Sequence, residues 1–127
     1  MKCYLVEDHE SMRFILKLIL RRNFPAITDI GESDTAERAL MEIPVFVPNI
    51  VLIDISLPGM DGIELIRRLH PVCRSLCMLV VTGHEIELYR QAAIDAGAHG
   101  IVSKSDSKAL IEAIREIMQK SENGGCK

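Results

Sequence analysis

The residues best suited to chemistry are three carboxylates that directly follow short apolar runs. Glu7 and Asp8 come after the run at residues 3–6, and Asp54 comes after the run at residues 50–53. If these runs are neighbouring parallel strands, their carboxyl ends meet at one crevice and the three carboxylates converge. Unpaired carboxylates at such close range raise one another's pKa. A divalent cation with oxygen ligands removes this repulsion, and Mg²⁺ is the usual one where phosphate is handled.

A hydroxyl and an ammonium group extend this set. Thr82 ends the fourth apolar run, and Lys104 directly follows the fifth. A carboxylate nucleophile, a charge-neutralising metal, and Thr and Lys groups that hold phosphoryl oxygens are the components of phosphoryl transfer. Taken singly, such residues are more often helix caps, ordinary turns or surface charges. Five of them at the carboxyl ends of strands in one sheet favour a shared site.

The elements that must position these residues alternate along the chain. Apolar periodicity predicts strands at residues 3–6, 26–31, 50–53, 78–81 and 100–103, each followed by an amphipathic helix. Pro44 is expected to close the second helix, Asp61 with Glu64 to start the third as a capping box, and Ser105 or Asp106 to cap the last. The fold class is therefore α/β, a (βα)5 sandwich with a parallel sheet covered on both faces. The second and fifth strands are the least apolar and should form the edges, which favours the flavodoxin-like order 2-1-3-4-5.

Bulk properties limit the classes of function. The 127 residues are 48% hydrophobic and 26% charged, as in a globular protein of one domain, with residues 1–120 as the domain and 121–127 as a linker-like tail. A net charge of −3 gives no footprint for nucleic acid, so this chain alone is not expected to bind DNA. The apolar runs are too short to span a membrane. Acidic residues come too early for a signal peptide, which indicates a cytoplasmic protein.

The cysteines and histidines do not form a structural metal pattern. Cys73 and Cys77 lack a second pair at zinc spacing, Cys3 lies in an apolar run and Cys126 in the polar tail. We expect all four to be packing or surface thiols in a reducing compartment. The histidines are scattered without a ligand pattern.

Four segments resemble the receiver domain of bacterial response regulators, over about residues 2–120. They are residues 5–9 (LVEDH), 53–62 (IDISLPGMDG), 80–83 (VVTG) and 97–104 (GAHGIVSK), and the second is highly specific. The resemblance implies a two-component signalling protein in which a phosphohistidine on a sensor kinase or phosphotransfer protein donates a phosphoryl group to Asp54. It also implies an Mg²⁺-dependent reaction.

The same resemblance assigns a role to each site residue. Asp8 would ligate Mg²⁺ directly and Glu7 chiefly through water, together with Asp54 and the backbone carbonyl of Ser56. Lys104 would pair with the phosphoryl group. The phosphoryl oxygens would also accept hydrogen bonds from the Thr82 hydroxyl and the Gly83 amide.

The sequence departs from the family pattern at several positions. Many receivers carry an aromatic residue three positions before the lysine, where it turns inward on activation, and this chain has Ile101. Isoleucine cannot hydrogen-bond, so a relay from Thr82 to an aromatic side chain is not expected in its usual form. Ser105 stands where many receivers have proline. Ser56 and His84 occupy positions at which receivers vary their dephosphorylation rate; His84 could instead simply face solvent at a helix start.

Three functions follow from these observations. The first is a switch in which phosphorylation biases the face formed by the fourth helix, fifth strand and fifth helix, where a partner or a second copy binds. The second is a small Mg²⁺-dependent aspartyl phosphatase, although such enzymes usually have an acid where Ser56 stands. The third is a receiver-shaped binding module that is never phosphorylated. Whether the domain is free-standing or belongs to a longer DNA-binding transcription regulator is left open.

Overall fold

Five strands alternate with five helices in the computed structural model, which describes residues 1–126. The strands are β1 (Lys2–Val6), β2 (Asp29–Ser33), β3 (Ile50–Ile53), β4 (Cys77–Thr82) and β5 (Gly100–Ser103). The helices are α1 (Glu10–Asn23), α2 (Ala36–Phe46), α3 (Gly62–Leu69), α4 (Ile86–Ala96) and α5 (Ser107–Glu122).

The strands form one parallel sheet of order β2-β1-β3-β4-β5, which confirms the predicted flavodoxin-like arrangement. The two less apolar strands lie at the edges, as expected. Val6 pairs with Ile53, and Ile53 pairs with Val80 on its other side. The chain therefore leaves β1 and β3 at the same level, which brings the residues that follow these two strands together.

Alternate side chains of each strand enter two separate cores, as the pleat of a strand requires. One core lies between the sheet and helices α2, α3 and α4, and includes Val51, Ile53 and Ile43. The other lies between the sheet and helices α1 and α5, and includes Leu5, Leu52 and Ile114. All of β3 is buried, as its uninterrupted apolar sequence predicted.

The predicted bounds of two elements were wrong. The second strand runs over Asp29–Ser33 and not over residues 26–31, because Ile27 ends a turn and packs into the α1–α5 core instead of the ladder. Helix α2 continues past Pro44 to Phe46. Proline costs only one hydrogen bond this close to a helix end, and Val47, in the left-handed conformation with φ of 53°, closes the helix by donating its N–H to Ile43.

Aspartates begin two of the helices, as the sequence indicated. Asp61 accepts a hydrogen bond from the Glu64 N–H at 2.8 Å and starts α3. The Glu64 side chain pairs with Arg67 and Arg68 instead of accepting a hydrogen bond from the Asp61 N–H. Among the hydrogen bonds at this helix start, only the Asp61 half of the predicted capping box is present. Asp106, and not Ser105, caps α5 by accepting from Ala109 N at 3.0 Å.

The expectation that all cysteines are thiols was wrong for one pair. Cys77 and Cys126 form a disulfide with a Cα–Cα distance of 5.0 Å, while Cys3 and Cys73 are free. The polar tail after α5 does not extend away from the domain but reverses and buries Cys126 against the sheet. None of the helices within residues 1–126 has the length and apolarity needed to cross a membrane.

Candidate functional site

Three carboxylates converge where β1 and β3 end. Glu7 and Asp54 are 1% and 4% exposed, whereas Asp8 is only partly buried. The Asp54 N–H donates to the Val6 carbonyl at 2.9 Å, so the ladder between β1 and β3 extends by one residue and fixes the acceptor beside Glu7. One side-chain ligand atom from each of Glu7, Asp8, Asp54 and His9 lies within 4.8 Å of the others. The predicted convergence of the carboxylates is confirmed.

Lys104 lies against two of these carboxylates. Its Nζ atom is 2.5 Å from Glu7 Oε1 and 3.2 Å from Asp54 Oδ2. Burial alone would raise the pKa of Glu7, but the Lys104 ammonium and contacts from His9 hold it below the usual range. Burial raises the pKa of Asp54, the charge of Glu7 raises it further, and Lys104 only partly opposes this. Burial disfavours the ammonium, yet the two carboxylates raise the pKa of Lys104.

This arrangement fits a divalent cation. Two buried oxygens, Glu7 Oε1 and Asp8 Oδ1, accept no hydrogen bond from the part of the chain that is described. Glu7 Oε1 nevertheless forms an ion pair with the Lys104 ammonium. Buried carboxylate oxygens without donors are costly, and a cation that prefers several oxygen ligands would satisfy them. The acidic cluster is therefore consistent with a Mg²⁺ site.

The strands β4 and β5 bring the hydroxyl and the lysine to the same edge. Thr82 is fully buried at the last position of β4, and its carbonyl accepts from the Lys104 N–H at 2.9 Å. The next residue, Gly83, is exposed and lies beside the Lys104 stem, since a Cβ there would be 3.9 Å from Lys104 Cδ. The structure thus brings Thr82, Gly83 and Lys104 to one side of the carboxylate cluster.

Ser56 and His84 link the loops that follow β3 and β4. The His84 N–H donates to Thr82 Oγ1 at 3.0 Å, and the His84 Nε2 atom is within hydrogen-bonding range of Ser56 Oγ. Both side chains are exposed. His84 is therefore held at both its backbone and its ring, unlike a histidine that simply faces solvent.

Ile101 lies in β5 and is half-buried against the core beneath α2, α3 and α4. Ser105 follows Lys104 through a trans peptide, as all peptide bonds within residues 1–126 are trans. The Ser105 N–H and hydroxyl both hydrogen-bond to Ser103 Oγ, which closes a turn directly after β5.

Gly62 packs directly against the backbone of the acceptor residue. A Cβ at this position would lie 2.1 Å from the Asp54 carbonyl oxygen, closer than any real contact. The Gly62 N–H also donates to the Ile55 carbonyl at 3.0 Å. The start of α3 therefore supports the β3 loop from below, and the site tolerates no side chain here.

Three further residues contact the site without a signal in residue spacing that would single them out. His9 Nδ1 lies 3.2 Å from Glu7 Oε2 and 3.3 Å from Asp8 Oδ1. Arg13 donates to the Glu7 carbonyl at 2.7 Å and so fixes the turn after β1 from the first turns of α1. Tyr89 of α4 packs on the His84 ring with a centroid distance of 5.6 Å.

The protein-family profile described as "Response regulator receiver domain" matches residues 3–115. The virulence-factor transcription regulator BvgA of Bordetella pertussis is 30% identical over 118 residues, which cover 92% of this chain and 56% of BvgA. The transcriptional activator protein ExaE of Pseudomonas putida is 35% identical over 116 residues, which cover 90% of this chain and 53% of ExaE. The chain thus spans about half the length of these curated relatives.

The fold is also similar to that of solved structures. A LuxR-family two-component response regulator from Aurantimonas superposes with a TM-score of 0.86 at 29% identity, over 99% of this chain and 88% of that chain.

Proposed function

The chain belongs to the response regulator receiver domain family, and from that premise we propose that Asp54 accepts a phosphoryl group from a phosphohistidine of a sensor kinase or phosphotransfer protein. A receiver domain is a phosphoacceptor signalling module and not a turnover enzyme. Membership implies a histidine kinase partner. The single observation that carries the assignment of Asp54 is its position: Lys104 pairs with the buried carboxylate of Asp54 and with that of Glu7.

The proposed transfer uses the Asp54 carboxylate as nucleophile. An Asp54 oxygen forms a bond to phosphorus while the phosphorus–nitrogen bond of the phosphohistidine breaks, and that electron pair leaves with the imidazole of the partner. Lys104, already 3.2 Å from Asp54 Oδ2, is placed to pair with the phosphoryl oxygens. The Thr82 hydroxyl and the Gly83 amide would donate to them from the β4 side. These groups act by positioning and charge stabilisation, which carry most of phosphoryl-transfer catalysis.

Glu7, Asp8, Asp54 and the Ser56 carbonyl would hold Mg²⁺, which when bound neutralises charge on the phosphoryl oxygens. Without it, Glu7 and Asp54 share one ammonium, which leaves the site with more negative than positive charge. The burial that raises the pKa of Asp54 also removes competing water from its oxygens. Arg13 and the β1–β3 ladder keep Glu7 and Asp54 at fixed positions before the donor arrives.

We propose that the signal leaves the site through His84 and Tyr89 and does not need an aromatic residue at position 101. A phosphoryl group on Asp54 would accept a hydrogen bond from the Thr82 hydroxyl and draw it toward Asp54, which would shift the oxygen that accepts from His84 N. The His84 ring contacts Tyr89, which lies on α4. Ile101 can respond only by repacking. The face formed by α4, β5 and α5 is the proposed surface for a partner or a second copy.

The Ser56–His84 pair is proposed to set the lifetime of the phosphoryl group. It joins the loops that follow β3 and β4, and we propose that it restricts the approach of water to the acyl phosphate on Asp54. Replacing His84 by alanine opens this link, and we expect faster loss of phosphate. Ser56→Ala removes the other half of the same link, so it should change the dephosphorylation rate in the same direction. The double variant should therefore add little to the effect of either single variant. Dephosphorylation rates that add fully in the double variant would argue that the pair does not act as a unit.

The assignment of Asp54 is tested with acetyl phosphate and Mg²⁺, followed by mass spectrometry or a phosphate-affinity gel. Wild-type protein should gain one phosphoryl group and Asp54→Asn none. Asp95→Asn, at an exposed position on α4, is the matched control and should be labelled like wild type. Equal labelling of Asp54→Asn would place the acceptor elsewhere. Absence of labelling in wild type, with no response to beryllofluoride, would instead favour a binding module that is never phosphorylated.

The phosphatase hypothesis is not retained. Ser56 stands where such enzymes have a second acid, and the family is one of phosphoacceptor modules.

We propose that the protein acts in the cytoplasm, where receivers typically operate, and that its output is transcriptional. The transcription regulators among its relatives support that output, and a pull-down of the full reading frame on promoter DNA would test it.

A further inference from the structure

The segment after α5 is attached to the end of the sheet opposite the carboxylate site. Helix α5 ends at Glu122, and four residues later Cys126 forms the disulfide with Cys77, the first residue of β4. Cys77 is fully buried and Cys126 is 4% exposed. The opposite end of the same strand carries Thr82.

Backbone contacts define how this segment docks. The Cys126 N–H donates to the Ser75 carbonyl at 3.2 Å, in the loop before β4, and the Gly125 N–H donates to the Lys120 carbonyl at 3.1 Å. Gly124 and Gly125 have φ of 110° and 90°, values that favour glycine. A Cβ on Gly125 would lie 2.9 Å from the Ser75 carbonyl oxygen. The two glycines therefore allow both the reversal of the chain and its close approach to the loop.

The docked segment forms one wall of a surface cavity of about 410 Å³. Its lining includes Gly124 and Gly125 of this segment, Ser121 of α5, and Val47 and Val72. The residues at 122–124 are exposed, and only Cys126 at the end of this short segment is buried. The two cores consist almost entirely of residues that precede this segment, and Cys126 is their last member.

We propose that Cys77 and Cys126 are a reversible thiol–disulfide couple that docks residues 123–126 when oxidised and releases them when reduced. Oxidation forms the Cys77–Cys126 bond as the two thiols lose two electrons and two protons to a low-molecular-weight disulfide. The S–S bond of that oxidant breaks, and it leaves as two thiols. Reduction by a small thiol reverses the exchange. The state of the couple is set at the end of the sheet distant from Asp54, so it constitutes an input separate from phosphorylation.

Cys73 provides the matched control. It is half-buried in the same cavity wall, four residues before Cys77, and has no disulfide partner. Comparison of the Cys73 and Cys126 variants therefore distinguishes a thiol that only lies close to the segment from one that forms the disulfide.

The test equilibrates the full chain with reduced and oxidised glutathione at a series of ratios under native conditions. Acid quenching and denaturing alkylation with a maleimide then count thiols by mass. The count should change between four and two as the ratio becomes oxidising. Amide hydrogen exchange of residues 123–126 should be at least about tenfold faster in the reduced form. Cys126→Ser should exchange at the fast rate at every ratio, and Cys73→Ser should behave like wild type.

Three results would overturn the proposal. Four thiols at every ratio mean that the bond does not form. Two thiols that persist under excess reduced glutathione in folded protein mean a permanent structural bond. Exchange at residues 123–126 that is the same in both redox states means that the bond does not control docking. Cys126→Ser removes only the peripheral member of the pair, so the test does not depend on Cys77→Ser remaining folded.

Discussion

Breaking the disulfide should lower the free energy of unfolding by a calculable amount. The bond joins residues separated by 49 positions in the chain. Closing a loop of this length in the unfolded state corresponds to roughly 4 kcal/mol of lost chain entropy, an upper value because unfolded chains retain some structure. With a denaturant slope of about 2 kcal/mol per molar urea, the unfolding midpoint should move by up to about 2 M.

The assay is urea unfolding of wild-type protein, oxidised and reduced, followed by far-UV circular dichroism. Because both samples contain the same residues, the difference isolates the bond. The free energies are compared as well as the midpoints, since the crosslink also changes the slope. Cys126→Ser should match the reduced wild type to within about 1 kcal/mol, the cost of placing a hydroxyl in an apolar site. Cys73→Ser should keep the full difference between its redox states.

A difference below about 0.5 kcal/mol, in samples whose thiol counts confirm oxidation, would refute the entropic reasoning. It would mean that the unfolded chain already keeps the tail near β4, or that the native state loses in packing what the crosslink contributes. A large difference that Cys126→Ser does not reproduce would assign the stabilisation to another pair of thiols.

Three further perturbations follow from single contacts. Gly62→Ala places a methyl group 2.1 Å from the Asp54 carbonyl oxygen, and should cost about 2 kcal/mol in urea unfolding and slow phosphoryl uptake from acetyl phosphate. His99 accepts a hydrogen bond from Met78 N, and burial lowers its pKa from 6.5, so the unfolded chain binds the proton more readily. The stability that this histidine contributes is therefore present above pH 6.5 and lost as the pH falls below it. In urea unfolding across this pH range, His99→Gln should lack that part of the pH dependence. Lys104→Met leaves two buried carboxylates uncompensated, and should lower stability by about 2 kcal/mol in urea without Mg²⁺ but tighten Mg²⁺ binding in a calorimetric titration.

Each of these has a control and an outcome that contradicts it. Gly83→Ala meets only the Lys104 stem at 3.9 Å and should leave the fold unchanged; a loss equal to that of Gly62→Ala would indicate that any alanine in these loops is harmful. A His99→Gln variant that loses stability in acid as steeply as wild type would assign the effect to other groups. Lys108→Met, at an exposed site on α5, should not alter Mg²⁺ affinity. If Lys104→Met bound Mg²⁺ more weakly than wild type, the ammonium would not be a competitor for the carboxylates.

The sheet and the carboxylate cluster could be predicted because they depend on apolar periodicity and on the strand order that it favours. Residues 50–53 are apolar without interruption, which indicates a central strand, and Asp54 then has to lie at its carboxyl end. The same argument places Glu7 next to it once β1 is recognised as a neighbour. Chain topology thus converts positions in sequence into proximity in space.

Features that depend on tertiary contacts could not be predicted. Ile27 reads as a strand residue, yet it packs into a core from a turn, because burial satisfies an apolar side chain in either conformation. The contact of His84 with Tyr89 depends on how α4 is set against the β4 loop. Cys126 lies in a polar, glycine-containing segment, and no local pattern indicates that it returns to a strand that begins 49 positions earlier.

The disulfide and the phosphoryl site lie at opposite ends of β4, and the strand determines how far they influence each other. All six residues from Cys77 to Thr82 are buried, and the strand is hydrogen-bonded to β3 on one side and β5 on the other. Displacing Cys77 would break its pairing with Ile50 in the β3 ladder, whereas opening the disulfide releases a short segment whose residues 123 and 124 are already exposed. The segment therefore moves more easily than the strand, and we expect the opening of the disulfide to leave Thr82 in place. Asp54→Asn should accordingly leave the thiol–disulfide balance unchanged, and stabilisation by beryllofluoride and by the disulfide should add to within about 0.5 kcal/mol; a larger coupling energy would show that β4 transmits the redox state to the phosphoryl site.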